Sequence, residues 1–454
     1  MIGNILIGLL LLSFLVFVHE LGHFIAARLC GVEVIAFSVG FGPVLLKKKI
    51  GDTEYRLSLL PFGGYCSMRG EDAFMKALDE NLDTIPNDPA SLYGVSRWRR
   101  ILIAFAGPFA NYVTAILGFT LVAAIGTSYY TSSNQIAPSY YYGELEDSPA
   151  KGANLQMGDR IVQIDGIATN TFTDVYEKIA LNPEKAMTFT IERNGSTFQT
   201  EITPALNKDT GAGYVGFYAY IPMDIAEVLP DSPAQKAGIL AGDRITAVNG
   251  EPIYNTHDLA YFFKNNLHKM TVDVTIERNG QEQNLSLDLP YYSETQMPSL
   301  GLVTESIQVI EEGQGFFKSI AEGFVKTNTT IIEVLKSLTL LFKGINFRSA
   351  LAGPLGISSM LGENAKAGFR ESFLQGLYTI ASLASFICIS LFIMNLLPIP
   401  VLDGGIIFIA LIEIIVRRSV RPKILYYVQM VGTFLILFLF VFALWADIGR
   451  LFFS

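Results

Sequence analysis

Cysteine is nearly absent from this sequence, which contains three Cys and four His among its 454 residues. Cys30, Cys66 and Cys388 are too widely spaced to form a metal-binding cysteine motif, and we assign them no role. The polar region 127–372 contains no cysteine at all, which excludes a disulfide framework there.

Charged residues are also scarce: they make up 17% of the chain, whereas hydrophobic residues make up 50%. The mean hydropathy of +0.38 is too high for an ordinary soluble enzyme. Basic residues form no patch larger than a membrane-flanking cluster, so nothing indicates nucleic-acid binding. The composition therefore predicts a membrane protein.

Four apolar runs are long enough to cross a bilayer as helices, at residues 5–27, 101–125, 373–397 and 424–446. The first run lacks the basic n-region of a signal peptide, so we expect it to be retained. Lys and Arg cluster after the first run and between the last two runs, which predicts that both segments face the cytoplasm. The acidic region 127–371 and both termini are then expected on the outer side of the membrane.

The first apolar run contains an H-E-x-x-H motif formed by His19, Glu20 and His23. Positions i and i+4 share one helix face about 6 Å apart, so two imidazoles at this spacing can ligate one Zn²⁺. The Glu between them can act as a general base. Because ionisable side chains in hydrocarbon are costly, the motif predicts a hydrolytic metal site inside a membrane; the alternative is a chance match around core histidines.

A hydrolytic zinc site needs a third protein ligand and one open position. The third apolar run ends in an N-x-x-P-x-P-x-L-D-G segment, in which Pro398 and Pro400 interrupt the helix. Backbone groups freed in this way are tolerated at membrane depth only inside protein or against a cavity. Asp403 lies just past the break, at the cytoplasmic end of its helix, as the two histidines do in theirs. The topology therefore predicts that Asp403 lies at the same depth as the histidines.

The polar region contains a tandem repeat. The motifs D-S-P-A at 147–150 and G-D-R-I at 158–161 recur at 231–234 and 242–245. Two copies without a third indicate two tandem domains rather than a solenoid. The repeat resembles PDZ domains of the bacterial protease type, and one short helix is expected in each copy, at 173–181 and 256–265. Such domains can hold an extended peptide against a strand edge; a closed spacer or lid is the alternative.

The H-E-L-G-H motif and the N-x-x-P-x-P-x-L-D-G segment together resemble the site-2 protease family of intramembrane zinc metalloproteases. The tandem repeat and the four apolar runs are similar to its regulator-of-sigma-E protease branch, and the resemblance covers nearly the whole chain. Two further elements resemble family signatures: A-G-P-x-x-N, which ends at Asn111, and the sequence Gly40-Phe41-Gly42 in a hairpin that dips into the membrane.

The resemblance implies one Zn²⁺ per chain, bound by His19, His23 and Asp403, with Glu20 as the catalytic base. It gives Asn395 a role in holding or polarising the substrate. The other candidate substrate-binding or oxyanion residues are Pro398, Pro400, Gly40, Phe41, Gly42 and Asn111. The implied substrates are membrane-spanning segments already shortened on their outer side, such as anti-sigma-factor or signal-peptide remnants in the bacterial cytoplasmic membrane.

The expected fold class is a polytopic α-helical membrane protein with four transmembrane helices, a membrane-associated β-hairpin region and two external α+β PDZ-like domains. The predicted segments are the first helix 1–30, a cytoplasmic-side β region and loop 31–100, the second helix 101–126, PDZ-like domains 127–206 and 207–290, an external junction 291–372, the third helix 373–405, a cytoplasmic link 406–423 and the fourth helix 424–447.

Two segments each allow two interpretations. Short strands predicted at 34–41, 54–60 and 64–68 form either an edge-strand clamp for an extended substrate or a cytoplasmic surface hairpin. Apolar and charged residues alternate at helical spacing over 315–343. This pattern predicts an amphipathic helix against the membrane or a domain, or else a packed soluble helix.

The predicted activity is hydrolysis of peptide bonds within transmembrane segments. Zinc lowers the pKa of water toward 7, Glu20 accepts the proton, and the scissile carbonyl is attacked. Glu20 then protonates the leaving amine, and the Asn395 amide helps to stabilise the oxyanion. The PDZ-like pair excludes substrates with bulky outer domains. The alternatives are a non-catalytic zinc-binding membrane scaffold or carrier that docks through its PDZ-like domains, and a protease of soluble proteins.

Overall fold

The computed structural model describes residues 2–266, 271–289, 298–340 and 353–453. The chain forms two compact units. The helical unit contains Met1–Thr127 and Glu311–Ser454, and the repeat unit contains Ser128–Ile310.

The helices in the described part of the chain are Ile2–Leu29, Glu71–Asp79, Arg97–Ile125, Pro149–Gly152, Phe172–Ala180, Pro233–Ala237, Thr256–Asn265, Phe316–Leu340, Pro354–Glu371, Phe373–Leu396, Asp403–Val416 and Pro422–Phe453, with a 3-10 helix at Ser139–Tyr142. The strands are Val34–Ile50, Thr53–Met68, Gly126–Thr131, Ile136–Pro138, Arg160–Ile164, Ile167–Ala168, Met187–Arg193, Ser196–Ile202, Ala205–Leu206, Gly213–Tyr214, Phe217–Ala219, Ile225–Val228, Arg244–Val248, Glu251–Pro252, Thr271–Arg278, Gln281–Asp288, Leu302–Thr304 and Ile307–Glu312.

Four of these helices are long enough and apolar enough to cross a membrane. We call them the first, second, third and fourth apolar helices: Ile2–Leu29, Arg97–Ile125, Phe373–Leu396 and Pro422–Phe453. Each of the four helices coincides with one of the predicted apolar runs. A helix is the expected structure for such a run, because it satisfies its own main-chain hydrogen bonds in hydrocarbon.

The third apolar helix ends at Leu396, earlier than the predicted boundary at residue 405. Pro398 and Pro400 have no main-chain N–H to continue the helical hydrogen bonds, and Val401 adopts a φ of +86°. Residues 397–402 therefore form a turn instead of a helix.

A further helix, Asp403–Val416, follows this turn, and we call it the Asp403 helix. The predicted cytoplasmic link 406–423 is therefore wrong over most of its length. The apolar sequence IIFIALIEIIV continues past the two prolines, and this run packs as a helix against the second apolar helix.

The region after the first apolar helix is a β-sheet formed by Val34–Ile50 and Thr53–Met68. Both strands bend, so their pairing gives four segments in the order 44–50, 53–58, 34–39 and 64–68. Gly40 and Gly42 make the first bend with φ values of +88° and +84°. The three predicted strands are confirmed, and segment 44–50 is an additional strand. Segment 64–68 is an edge, since no other described strand pairs with its outer side.

The amphipathic helix predicted over 315–343 is present as Phe316–Leu340. Its buried face carries small residues, among them Ser319, Gly323 and Thr327. A Cβ on Gly323 would come within 2.3 Å of Thr120 Oγ1 in the second apolar helix. This helix therefore packs along the second apolar helix, inside the helical unit.

The two sequence repeats fold as two α+β domains with the same sheet. The first repeat domain has the strand order Ile167–Ala168, Arg160–Ile164, Met187–Arg193, Ser196–Ile202, and the second has Glu251–Pro252, Arg244–Val248, Thr271–Arg278, Gln281–Asp288. The two predicted short helices are confirmed as Phe172–Ala180 and Thr256–Asn265, and each begins with a capping box.

The predicted boundary between the repeat domains, at residues 206 and 207, is wrong. Val215 and Phe217 pack with the core of the first domain, and Phe217–Ala219 pairs with Ile136–Pro138. Leu300 and Leu302 pack with the core of the second domain in the same way. Each domain is closed by a strand that follows the repeated motifs, which is why the repeat alone placed both ends too early.

The repeated G-D-R-I motif and a second repeated motif, I-E-R-N-G at 191–195 and 276–280, contact each other in each domain through an ion pair. The Arg278 guanidinium donates to both carboxylate oxygens of Asp243 at 2.7 Å, and Arg193 does the same to Asp159 at 2.7 Å. Arg278 holds the pKa of Asp243 below its ordinary value. A lowered pKa in the folded state means that the pair stabilises the fold above the unfolded carboxyl pKa and stops doing so as pH falls through the folded pKa.

Asp243→Asn should therefore remove an acid-sensitive contribution to stability. The variant should unfold at a lower temperature than wild type at pH 7, and the difference should shrink below about pH 4, where the carboxyl of the unfolded wild-type chain begins to protonate. Hydrogen exchange of the Arg244–Val248 amides during thermal unfolding measures this. The exposed Glu251→Gln is the matched control, and equal pH profiles for the two variants would contradict the assignment.

Candidate metal centre and substrate cavity

His19, His23 and Asp403 come together among the apolar helices. His19 Nε2 lies 3.2 Å from His23 Nε2 and 3.2 Å from Asp403 Oδ2, and His23 Nε2 lies 3.3 Å from Asp403 Oδ1. Within the described ranges, these side chains are the one group of three metal-ligating residues whose ligand atoms all lie within 4.8 Å of one another. The structure thus brings together the three ligands that the sequence analysis predicted.

The first apolar helix presents both imidazoles on one face, with ring centroids 4.8 Å apart. The second apolar helix approaches this face closely. A Cβ on Gly22 would come within 2.3 Å of the Ala106 carbonyl oxygen, and a Cβ on Gly107 would come within 2.1 Å of His23 Nε2. Both glycines are therefore required for the two helices to pack against the histidines.

His23 has a defined tautomer. Its Nδ1 lies 2.8 Å from the carbonyl oxygen of Ile103 in the second apolar helix. Because a carbonyl can only accept, Nδ1 must carry the proton, and the neutral imidazole then presents the Nε2 lone pair to the cluster. This is the tautomer that a metal-ligating imidazole requires.

Asn111 contacts His19 on the side away from the cluster. The Asn111 side chain is fully buried, and its Nδ2 lies 3.1 Å from His19 Nδ1, while its Oδ1 has no hydrogen-bond partner. A 180° rotation of the amide would let Oδ1 accept a hydrogen bond from Nδ1–H of His19. His19 Nε2 would then also present a lone pair to the cluster. Asn111 is thus an outer contact of His19, in place of the predicted contact with substrate.

A tight turn holds Asp403. A Cβ on Gly404 or on Gly405 would come within 2.3 Å and 2.4 Å, respectively, of carbonyl oxygens at the end of the third apolar helix and in the turn. A Cβ on Gly432 of the fourth apolar helix would come within 2.3 Å of the Pro400 carbonyl oxygen. The turn therefore packs between helices, and Gly404 and Gly405 let the Asp403 helix start close to the end of the third apolar helix.

Glu20 opens onto a cavity of about 950 Å³ that it shares with the three clustered side chains. The main-chain N–H of Cys66 donates a hydrogen bond to the Glu20 carboxylate. Edge segment 64–68 of the sheet therefore runs beside the carboxylate. Other residues that line the cavity are Tyr65, Met68, Arg100, Asn395, Gln429 and Phe434.

The remaining predicted site residues have different positions. Asn395 lines the cavity. Phe41 stacks on the cavity residue Tyr65 with ring centroids 6.0 Å apart. Gly40 and Gly42 form the bend of the sheet, and Pro398 and Pro400 lie in the turn before the Asp403 helix, so these four shape the backbone and do not line the cavity.

The donor set fits a zinc ion. Two imidazole nitrogens and a carboxylate give three protein ligands and leave one position open, as in hydrolytic zinc sites. The two Nε2 lone pairs lie 3.2 Å apart and would repel each other unless a cation lies between them. Glu20 is not one of the three clustered residues, so its carboxylate is available for proton transfer.

The family model for peptidase family M50 matches residues 7–439. The chain belongs to peptidase family M50, the site-2 protease family. A Treponema pallidum protein with a zinc-metalloprotease name is 41% identical over 99% of both chains. The regulator of sigma-E protease of Escherichia coli is 30% identical over 97% of both chains.

A solved PDZ domain from an SdrC-like protein of Listeria monocytogenes is 18% identical and covers 19% of this chain and 90% of its own, with a TM-score of 0.17.

The family membership makes the chain a zinc metalloprotease of the site-2 type. It is an enzyme, and the scaffold or carrier alternative is set aside.

The first repeat domain has a separate groove that the sequence analysis missed. A cavity of about 400 Å³ lies between the helix Phe172–Ala180 and the sequence Gly-Tyr-Val-Gly-Phe at 213–217. Gly216 in this sequence has a φ of +95° and packs against Ser148. The sequence signal for this groove is the pair Gly213 and Gly216, which flank Tyr214 and Val215 just before the strand Phe217–Ala219.

Asn111→Leu should weaken zinc binding by about ten- to a hundredfold, because His19 would lose the partner that fixes its tautomer. Asn111→Asp should retain wild-type affinity, since a carboxylate can accept the same Nδ1–H. Competition between the purified protein and a chromophoric chelator for Zn²⁺ measures both. Tyr112→Phe on the same helix is the control, because Tyr112 contacts Asn328 instead of the cluster. Equal affinity of the Leu and Phe variants would remove Asn111 from this role.

Proposed function

We propose that His19, His23 and Asp403 bind the zinc ion and that Glu20 is the general base of an endopeptidase that acts within the membrane. The observation that carries this proposal is the convergence of the three ligand side chains among helices apolar enough to span a bilayer. Glu20 follows His19 in the same helix and faces the cavity, so it is close to the open position of the zinc ion.

Zinc, when bound, supplies Lewis acidity to the reacting water and to the scissile carbonyl. Glu20 accepts a proton from the water and delivers it to the leaving amine. The Cys66 N–H holds the Glu20 carboxylate toward the cavity while it does so. Asn395, in the last turn of the third apolar helix, offers its side-chain N–H to the oxygen on which charge develops.

Edge segment 64–68 supports the clamp interpretation of the β-sheet. A peptide bond in a transmembrane helix is shielded by the surrounding turns, so the substrate has to be extended before hydrolysis. The outer side of this edge has no partner strand in the described chain, and it lies beside Glu20. An extended substrate that pairs with it would bring its carbonyl groups next to the general base.

We further propose that the four apolar helices span the bacterial cytoplasmic membrane, with both termini and the repeat domains on the outer side. Basic residues flank the cytoplasmic ends in the sequence. The sheet exposes a band of apolar side chains, including Val44, Leu46, Leu57 and Leu60, next to the charged residues 47–54. This band suits insertion of the sheet into lipid, with the charged end at the headgroups.

The substrates in this proposal are membrane-spanning remnants that have lost their outer domains, such as anti-sigma-factor or signal-peptide fragments. The similarity to the regulator of sigma-E protease supports this class. The repeat domains, as a PDZ-like pair, limit the size of the outer domain that a substrate can carry, and the groove of the first domain accepts a peptide.

Glu20→Gln should keep stoichiometric zinc and lose cleavage by a factor of about a hundred to ten thousand, because the amide cannot accept the proton of the water. Metal analysis of the detergent-purified protein and cleavage of a model transmembrane peptide measure the two properties separately. Glu322→Gln, an exposed Glu on the helix Phe316–Leu340, is the control. Full cleavage activity in Glu20→Gln would rule out the general-base role.

Removal of residues 132–306 should broaden the accepted substrates. Strands Gly126–Thr131 and Ile307–Glu312 pair with each other, so a short Gly-Ser linker can join them. The shortened enzyme should cleave a substrate that still carries its outer domain, whereas a pre-trimmed substrate should be cleaved at the wild-type rate. If the shortened enzyme still cleaves the pre-trimmed substrate and still rejects the untrimmed one, the size filter is wrong.

A further inference from the structure

Glu413 lies at the centre of a buried ion cluster outside the metal centre. It is 4% exposed and sits in the last turn of the Asp403 helix. Its Oε2 lies 3.1 Å from Arg100 Nη1 and 3.6 Å from Arg97 Nε, and its Oε1 accepts a hydrogen bond from Val420 N–H at 2.9 Å. Both arginines belong to the first turn of the second apolar helix. The cluster therefore ties the far end of the Asp403 helix to the second apolar helix.

Stability alone does not explain this cluster. The desolvation of two buried charges cancels much of their attraction, and an apolar pair of similar size often stabilises a fold equally well. A buried carboxylate that contacts two guanidinium groups and a main-chain N–H instead permits few relative positions of the helices that carry them. Close charged contacts of this kind, together with the Val420 hydrogen bond, help to hold a helix that carries a metal ligand in one position.

The near end of the Asp403 helix is held by the packing of the turn and of Gly404 and Gly405, and in the described chain no charged cluster like that of Glu413 anchors it outside the metal centre. It is joined to the third apolar helix through residues 397–402, in which Val401 has a φ of +86° and two residues are prolines. A backbone in this region persists only where the surrounding structure holds it. The turn sets where the Asp403 helix begins, and contacts at the far end of the helix set its direction.

We propose that the Arg100–Glu413 ion pair positions Asp403 for zinc binding, a role that rests on the proposed set of zinc ligands. Asp403 and Glu413 are in the first and last turns of one helix, so they move together. The second apolar helix also holds His23 through the Ile103 carbonyl. Arg100 lies about one helical turn before Ile103. Asp403 and His23 are therefore both held, through Glu413 and the Ile103 carbonyl, by the same stretch of the second apolar helix.

Glu413→Leu and Arg100→Leu should each lower the affinity for Zn²⁺ by about ten- to a hundredfold, because the Asp403 helix loses its anchor. The measurement is chelator competition for Zn²⁺ on the purified full-length protein in detergent. Glu413→Gln, which can still accept the Val420 N–H but has no charge, should shift the affinity in the same direction. Wild-type affinity in the single Leu variants would overturn the proposal.

The double variant Glu413→Leu/Arg100→Leu separates positioning from stability. It leaves neither member of the pair buried without a partner, so its unfolding temperature should recover toward wild type. Its zinc affinity should stay low, because the apolar pair has no preferred direction. Recovery of both the unfolding temperature and the zinc affinity would show that the pair only stabilises the fold.

Two further variants complete the test. Asp447, in the fourth apolar helix, is buried and accepts hydrogen bonds from the main-chain N–H groups of Gly353, Leu355 and Gly356. Asp447→Asn should lower the unfolding temperature without changing the zinc affinity. Asp403→Ala must weaken zinc binding; if it does not, the proposed ligand set fails. If it does while the Glu413 variants bind zinc normally, only the positioning role fails.

Discussion

Polar side chains among apolar helices have no bulk water to pair with, and this constraint organises the helical unit. Polar groups near the metal centre therefore pair with groups on other elements of the helical unit. The second apolar helix supplies most of these partners: the Ile103 carbonyl for His23, the Asn111 amide for His19 and, in our proposal, Arg100 for the Asp403 helix. In our proposal, a helix that contributes no metal ligand is thus the frame on which all three ligands are placed.

Such a frame requires backbones that approach closely. Gly22 and Gly107 bring the first and second apolar helices together at the histidines, where even a methyl group would overlap a carbonyl oxygen or an imidazole. Gly404 does the same where the Asp403 helix begins. Small residues are the usual means of close helix packing in lipid, where apolar side chains gain little from leaving hydrocarbon. Here they also allow the imidazoles of His19 and His23 and the Asp403 carboxylate to come within 3.3 Å of one another.

The sequence predicted the parts of this arrangement that depend on local pattern. Continuous apolar runs predicted the four long helices, and helical periodicity placed His19 and His23 on one face. Lys and Arg placement predicted the depth of Asp403. The Asp403 helix was missed because a run of apolar residues next to basic ones looks like the end of a span. The contacts of Asn111 and Glu413 were not predicted, because they depend on which helices pack together, and one sequence carries no direct signal of such pairing.

In the proposed mechanism, the substrate binds along the edge of the sheet that lies beside Glu20. Segment 64–68 donates the Cys66 N–H to Glu20 and keeps the outer side of its backbone unpaired by any described strand. In hydrocarbon, unpaired backbone groups are costly, so this edge is a favourable partner for any backbone that leaves its helix. A substrate that unwinds beside the cavity would exchange its lost helical hydrogen bonds for bonds to the edge. These bonds would lower the free-energy cost of unwinding the substrate helix beside Glu20, the proposed general base. Hydrolysis would then be confined to transmembrane segments that can unwind there.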